Sequence, residues 1–307
     1  MGTTTAMTNR AAAYPSGRIL FVHAHPDDET LITGGTIAKY VREGADVMVV
    51  TCTLGEEGEV IGDEFALLTS DQADQLGGYR VLELSRACSA LAGTDGVGTL
   101  THQFLGGAGR WRDSGMAGTP AAQNPRAFVN ADMMVAASEL AAIICDFQPD
   151  VVTTYDPNGT YGHPDHIRAH AVTHAAVELA ASGHMDHVWD VPLLYWSVIG
   201  EETHRQALDS VGEVPRDWLR DTSGGLGLFP DHRITTRIDI RPYFRQKVEA
   251  FRAHATQVTV SDDGASFALS NKIAQPILGE EHFVLARTSP HATADGAPTS
   301  ELLVRKA

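Results

Sequence analysis

From Ile19 to Ile199 the chain repeats one pattern: a short apolar run, then a stretch with apolar residues at helical spacing. This alternation limits the fold more than any other feature. Ile19-Leu-Phe-Val22 is unbroken in its apolarity, as expected of a strand covered on both faces, and parallel strands are covered in that way. A helix over Thr33–Arg42 follows, with Ile37, Tyr40 and Val41 in phase and Gly44 as its stop. Further strands are expected at Val47–Thr53, Thr99–Leu105, Asp150–Tyr155 and Leu193–Ile199. Between them lie a helix carrying Val81, Leu84, Cys88 and Leu91, one over Val129–Phe147, and one starting near Pro164. The result is an α/β fold: a doubly wound, mostly parallel Rossmann-like sheet with helices on both faces. Beyond Gly200 the pattern loosens into a smaller α+β portion, with strands near Ile234–Ile240 and His282–Ala286 and a helix over Pro242–Ala255.

At 307 residues the chain exceeds the roughly 250–300 at which one hydrophobic core stops growing. We therefore divide it into a disordered tail over 1–17, a metal-dependent catalytic core over 18–200, and a segment 201–307 that packs on the core and completes the substrate cleft. The formal charge of −16 repels phosphate backbones and anionic lipid, so neither nucleic acid nor a membrane is an expected partner. No apolar run reaches the roughly 18 residues that span a bilayer; Met133–Phe147 comes nearest, interrupted by Glu139 and Asp146. Cys52, Cys88 and Cys145 sit singly in apolar stretches, which points to unpaired thiols and a reducing cytoplasm.

Two segments share a tripeptide. His23-Ala-His25-Pro-Asp27-Asp28-Glu29 follows the first strand, and Tyr161-Gly-His163-Pro-Asp165-His166 follows the fourth. Each places His, Pro and Asp where a strand gives way to a helix, and proline there fixes its neighbours' orientation. With a strand order of 3-2-1-4-5, the first and fourth strands flank the point where the order reverses, and ligands bind outside the carboxyl ends of strands at such points. Residues 138 apart would then meet in one crevice. Imidazole and carboxylate without thiolate suit a catalytic zinc or similar divalent ion with an open position. The ligand, base and acid roles remain open among His23, His25, Asp27, Asp28, His163, Asp165 and His166. An ionised base paired with a protonated acid would give a bell-shaped pH profile. The competing reading of Asp27-Asp28-Glu29 is a plain helix cap with an acidic first turn. His170 and His174, four apart on one helix, lack the glutamate of an H-E-x-x-H motif and read as outer or surface residues. Gly34-Gly35 and Gly106-Gly-Ala-Gly109 complete no nucleotide fingerprint. The loop Gly106–Pro125 carries Arg110-Trp-Arg112-Asp113, suited either to sugar hydroxyls or to surface ion pairs.

The paired His25-Pro-Asp-Asp-Glu29 and His163-Pro-Asp-His166 segments resemble the LmbE/PIG-L family of zinc-dependent deacetylases, which act on N-acetylglucosaminyl compounds. The stretches Val50–Gly62, Asp74–Arg80, Leu105–Gly118, Thr154–Gly159 and Ala253–Gln257 extend the resemblance over most of the chain. It implies a small glycoside substrate and one Zn2+ held by His25, Asp28 and His166, a set that Fe2+ also fits. It further implies Asp27 as general base, with His163 protonating the amine or stabilising the transition state. Asp165 would orient the His163 ring, and Tyr161 would polarise the amide carbonyl. Arg80 and Asp113 would contact sugar hydroxyls. Family amidases acting on thiol conjugates tend to carry a lysine shortly after the Asp-Asp-Glu run, where this chain has Leu31-Ile-Thr-Gly-Gly35. A sugar- or metal-binding module without activity is the reading from another class. Oligomeric state has no signature in the sequence.

Overall fold

The computed structural model describes residues 13–14, 16–220, 227–290, 292 and 300–303. Strand β1 (Arg18–His23) leads to α1 (Asp28–Arg42), β2 (Asp46–Thr51) and α2 (Leu76–Ala92), then β3 (Thr99–Phe104) and α3 (Met133–Phe147). Next come β4 (Val151–Tyr155), the one-turn α4 (Gly159–Gly162), α5 (Pro164–Ala181) and β5 (Leu193–Val198). The remainder holds α6 (Glu201–Ser210), β6 (Thr236–Asp239), α7 (Phe244–Ala253), β7 (Thr259–Val260), β8 (Ser266–Ala268), β9 (Gln275–Pro276) and β10 (Glu280–Thr288).

The main sheet runs β3-β2-β1-β4-β5-β10-β6, and β7-β8-β9 form a small antiparallel sheet. Its first five strands are parallel and in the expected order, with β1 pairing β2 on one side and β4 on the other. The unbroken apolarity of β1 is explained by this central place: Ile19, Leu20, Phe21 and Val22 are all fully buried. Alternate residues feed two cores. Leu20, Val22, Val50 and Val152 pack with Leu140 and Ile144 of α3 and Val172 and Val177 of α5. Ile19, Phe21, Val47 and Val49 pack with Ile37, Tyr40 and Val41 of α1, Leu91 of α2 and Ala250 of α7.

Part of the α+β portion after Gly200 joins the main sheet, where β10 inserts antiparallel between β5 and β6. Two features differ from the expectation. Tyr14, assigned to a disordered tail, is 2% exposed and meets Tyr40 edge to face at 5.1 Å, because a large ring finds an apolar seat beside α1; residues 1–12 and 15 lie outside the described residues. Helix α3 begins at Met133, four residues late, because the Asp132 side chain caps the amides of Met134 and Val135. Cys52, Cys88 and Cys145 are unpaired, as expected, and no described helix is long and apolar enough to cross a membrane.

The C-terminal strand β10 is tied to α7 by a buried ion pair and to α1 through the same carboxylate. Lys247 Nζ donates to Glu281 Oε1 at 2.5 Å, and the same carboxylate accepts the amides of Gly35 and Thr36. Both charged side chains are almost fully buried. Removing one partner of such a pair leaves the other charge uncompensated, at a cost of about 3–5 kcal/mol. Glu281→Gln is therefore expected to lower unfolding stability in denaturant titrations by several kcal/mol, whereas Glu202→Gln, in the exposed pair with Arg205, should barely move the midpoint. Equal midpoints for the two variants would contradict this account.

Candidate metal and hydrolase site

The carboxyl ends of β1 and β4 bring the two His-Pro-Asp segments together. At α5 the local logic is the expected one: Pro164 occupies the first helical turn, and His163 caps the helix by accepting the Asp165 amide on Nδ1 at 3.1 Å. At α1 it differs. Asp27 stands at the cap position with φ 115, its side chain caps nothing, and its carboxylate lies 3.1 Å from Arg80 Nη2. The plain-cap reading of this run therefore fails for Asp27. The acidic residue after it, Asp28, turns inward.

Asp28 joins the two segments. Its Oδ2 lies 3.3 Å from His25 Nδ1 and 3.4 Å from His166 Nε2. Both spacings match the edge, about 3.3 Å, of a tetrahedron with the 2.0–2.1 Å bonds that imidazole and carboxylate make to zinc. The same oxygen accepts the His25 amide at 2.9 Å and the Tyr155 hydroxyl at 2.7 Å, so the carboxylate is fixed before anything binds. Tyr155 also stacks on His166, ring centroids 4.1 Å apart. His166 is fully buried, yet neither ring nitrogen has a hydrogen-bond partner. An orphaned buried imidazole is costly, and coordination of a cation would satisfy it.

His25 Nε2 lies 3.3 Å from Asp165 Oδ2 and 3.5 Å from Asp113 Oδ1. A carboxylate behind a histidine in this way fixes its tautomer and raises its basicity as a ligand. Asp165 in turn accepts the Ser114 amide at 2.8 Å and the Ser114 hydroxyl. Two triads have donor atoms within 4.8 Å of one another: His25, His163 and His166, and His25, Asp113 and Asp165. With Asp28 these make a His/Asp cluster able to hold a divalent ion.

The electrostatics are those of a buried site. Burial raises the Asp27 carboxyl to about 7 against the opposing pull of Arg80. Burial lowers His163 to about 3, helped by His25 and His166, so its ring is neutral. With Nδ1 accepting the Asp165 amide, the remaining proton of a neutral ring sits on Nε2. Burial works to raise Asp28, but His166 and His25 outweigh it and hold the carboxyl well below its usual range.

The other candidate residues have the following contacts. The Asp165 carboxylate faces His25 and Ser114, and what it gives His163 is its backbone amide. Arg80 is 3% exposed and donates to the carbonyls of Gly55 and Pro26 beside its contact with Asp27, bracing the loop rather than reaching outward. A Cβ at Gly55, where φ is +67, would overlap that guanidinium. Asp113 is buried and accepts the amides of Gly115 and Glu57. Tyr161 is 42% exposed at the rim, its ring 6.0 Å from that of His163. His23 lies outside the cluster, on Thr33 at 3.0 Å. His170 meets the Tyr155 carbonyl and His174 the Trp196 indole, a structural group behind β4. Arg112 forms ion pairs with Glu57 and Asp74. Tyr155 and Ser114 were missed: one reads as an ordinary strand residue, the other as a loop residue, and only tertiary contact gives them a task.

The PIG-L model, "GlcNAc-PI de-N-acetylase", matches residues 20–177, which hold every residue of the cluster. This chain belongs to the PIG-L family. A Rhodococcus erythropolis protein named 1D-myo-inositol 2-acetamido-2-deoxy-alpha-D-glucopyranoside deacetylase is 56% identical over 88% of this chain and 90% of its own length. A protein of the same name from Mycobacterium sp. strain JLS is 55% identical over 89% and 84%. Among solved structures, N,N'-diacetylchitobiose deacetylase from Pyrococcus horikoshii aligns with TM-score 0.50 and 19% identity over 78% of this chain and 70% of that one. GalB, a 4-carboxy-2-hydroxymuconate hydratase from Pseudomonas putida KT2440, aligns with TM-score 0.54 and 18% identity over 92% and 100%. These two show the shared fold, which here carries different reactions.

His166→Ala and Asp28→Ala are expected to abolish stoichiometric zinc retention after dialysis, measured by elemental analysis. Asp165→Asn should weaken affinity about 10- to 100-fold by removing the support behind His25. Full zinc retention in Asp28→Ala would contradict the ligand geometry.

Proposed function

We propose that this chain is a zinc-dependent deacetylase that hydrolyses the N-acetyl group of 1D-myo-inositol 2-acetamido-2-deoxy-α-D-glucopyranoside to the free amine and acetate, a step of mycothiol biosynthesis. One observation carries the reading. The His25–Asp28–His166 cluster, with Asp27 at its edge, occurs in a chain more than half identical to deacetylases named for that substrate. Unpaired cysteines and the net charge support a cytoplasmic enzyme acting on a small glycoside.

In this reading His25, Asp28 and His166 hold the ion, zinc by preference of the donor set and Fe2+ as the alternative occupant. When bound, such an ion supplies Lewis acidity to the amide carbonyl and acidifies a water. The chain's own groups do the rest. Asp27, with a side chain 13% exposed, accepts the proton of the attacking water; its raised pKa makes it a stronger base than an ordinary aspartate. Arg80 holds that carboxylate in place. The neutral His163 offers its Nε2–H, and Tyr161 its hydroxyl, to the oxygen on which negative charge develops. Of the two tasks implied for His163, its Nδ1 contact with the Asp165 amide supports transition-state stabilisation, because a second ring proton would oppose that amide. The proton taken by Asp27 then passes to the departing amine.

Purified, zinc-loaded protein is expected to release acetate and amine from the acetylated pseudodisaccharide, in preference to cleaving a bimane conjugate of mycothiol. Preference for the conjugate would make it an amidase, and binding without acetate release would make it a binding module. Asp27→Asn should lower kcat by about 10²–10⁴ while keeping zinc. Because the base works ionised, the rate should fall as pH drops through the Asp27 pKa, with a limb above the ordinary aspartate value of about 3.9. A pH-independent rate through that range, with chemistry limiting, would contradict Asp27 as base.

A further inference from the structure

The aspartate assigned as base sits on backbone that its residue type disfavours. Asp27 has φ 115 and ψ −34, and a non-glycine residue keeps such a conformation only when its surroundings over-determine it. Its carbonyl starts α1 by accepting the amides of Thr30 and Leu31. Its own amide donates to Glu29 Oε2 at 2.9 Å. The other oxygen of Glu29 is held by the Thr30 hydroxyl at 2.6 Å and by His254 Nε2 at 2.8 Å.

His254 arrives from the far end of the chain, at the C-terminus of α7. It and Glu29 are fully buried. The turn that follows is locked from below, where Glu83 accepts the Thr256 amide at 2.8 Å and the Thr256 hydroxyl at 2.7 Å. A buried ion pair adds little net stability compared with apolar packing. What this pair does that packing would not is orient one carboxylate oxygen onto one strained amide.

We propose that His254 and Glu29 are positioning residues for the base: His254 fixes the Glu29 carboxylate, and Glu29 holds the Asp27 amide so that the Asp27 carboxylate is aimed at the attacking water. The inference rests on the reading of Asp27 as base. It also gives the segment beyond residue 177, outside the family match, a task in the chemistry.

The test is a double-mutant cycle on zinc-loaded enzyme, with kcat, KM and zinc content measured for His254→Ala and Glu29→Gln alone and in an Asp27→Asn background. Misplacing a catalytic group by about 1 Å costs up to about a hundredfold. The single variants are therefore expected to lose about tenfold to a hundredfold in kcat, with KM and zinc content unchanged. In the Asp27→Asn background, where there is no base left to aim, the same changes should cost less than about twofold. Loss of equal size in both backgrounds, loss that follows zinc content, or wild-type kcat in either variant would overturn the proposal. Should His254→Ala fail to fold, the equal-sized Glu29→Gln carries the cycle. A separate failure, Asp27→Asn turning over at the wild-type rate, removes Asp27 as base and this proposal with it.

Discussion

The site depends on one carboxylate being shared between two strands' worth of chain. Asp28 Oδ2 faces His25 on its own segment and His166 on the other, at 3.3 and 3.4 Å. That meeting requires β1 and β4 to be neighbours and parallel, so that both carboxyl ends open on the same edge of the sheet. It also requires Tyr155, the last residue of β4, to reach across and hold the Asp28 oxygen while stacking on His166. The surrounding structure serves to keep these parts from relaxing. Two apolar cores clamp the sheet from either face, and the loop after β3 brings Ser114 and Asp113 up behind His25.

Site and scaffold share a division of labour between charge and burial. Carboxylates are usually destabilised by removal from water, yet here each buried one has named partners: Asp165 with Ser114 and His25, Glu29 with His254, Glu281 with Lys247. Among the buried histidines described, His166, at the cluster's centre, is the one with no hydrogen bond on either ring nitrogen. A buried imidazole without hydrogen bonds is the exception in folded proteins, and a cation held beside Asp28 would satisfy it.

Much of this was legible in the sequence because it rests on periodicity and on short-range chemistry. The apolar runs and helical spacings fix which segments are strands and helices. The reversal of strand order at β1 and β4 then follows from topology rather than from any one residue. The residues that meet in the cluster were legible because the His-Pro-Asp repeat is local. What could not be read is what depends on contact across the fold. Nothing in the loop Gly106–Pro125 distinguishes Ser114 from its neighbours, and Arg80 presents the same sequence signal whether it faces substrate or braces Asp27. Tyr14 fell in a Thr- and Ala-rich stretch whose composition says nothing of a seat beside Tyr40. Antiparallel insertion of β10 between β5 and β6 escaped for the same reason, since a long return connection leaves no local mark.

Anomalous diffraction at the zinc edge from crystals of the zinc-loaded protein tests the central claim most directly. The account predicts one peak per chain, within about 2.0–2.2 Å of a nitrogen of His25, a nitrogen of His166 and an oxygen of Asp28. A peak bound by His163 in place of Asp28, or one away from the carboxyl ends of β1 and β4, would contradict it.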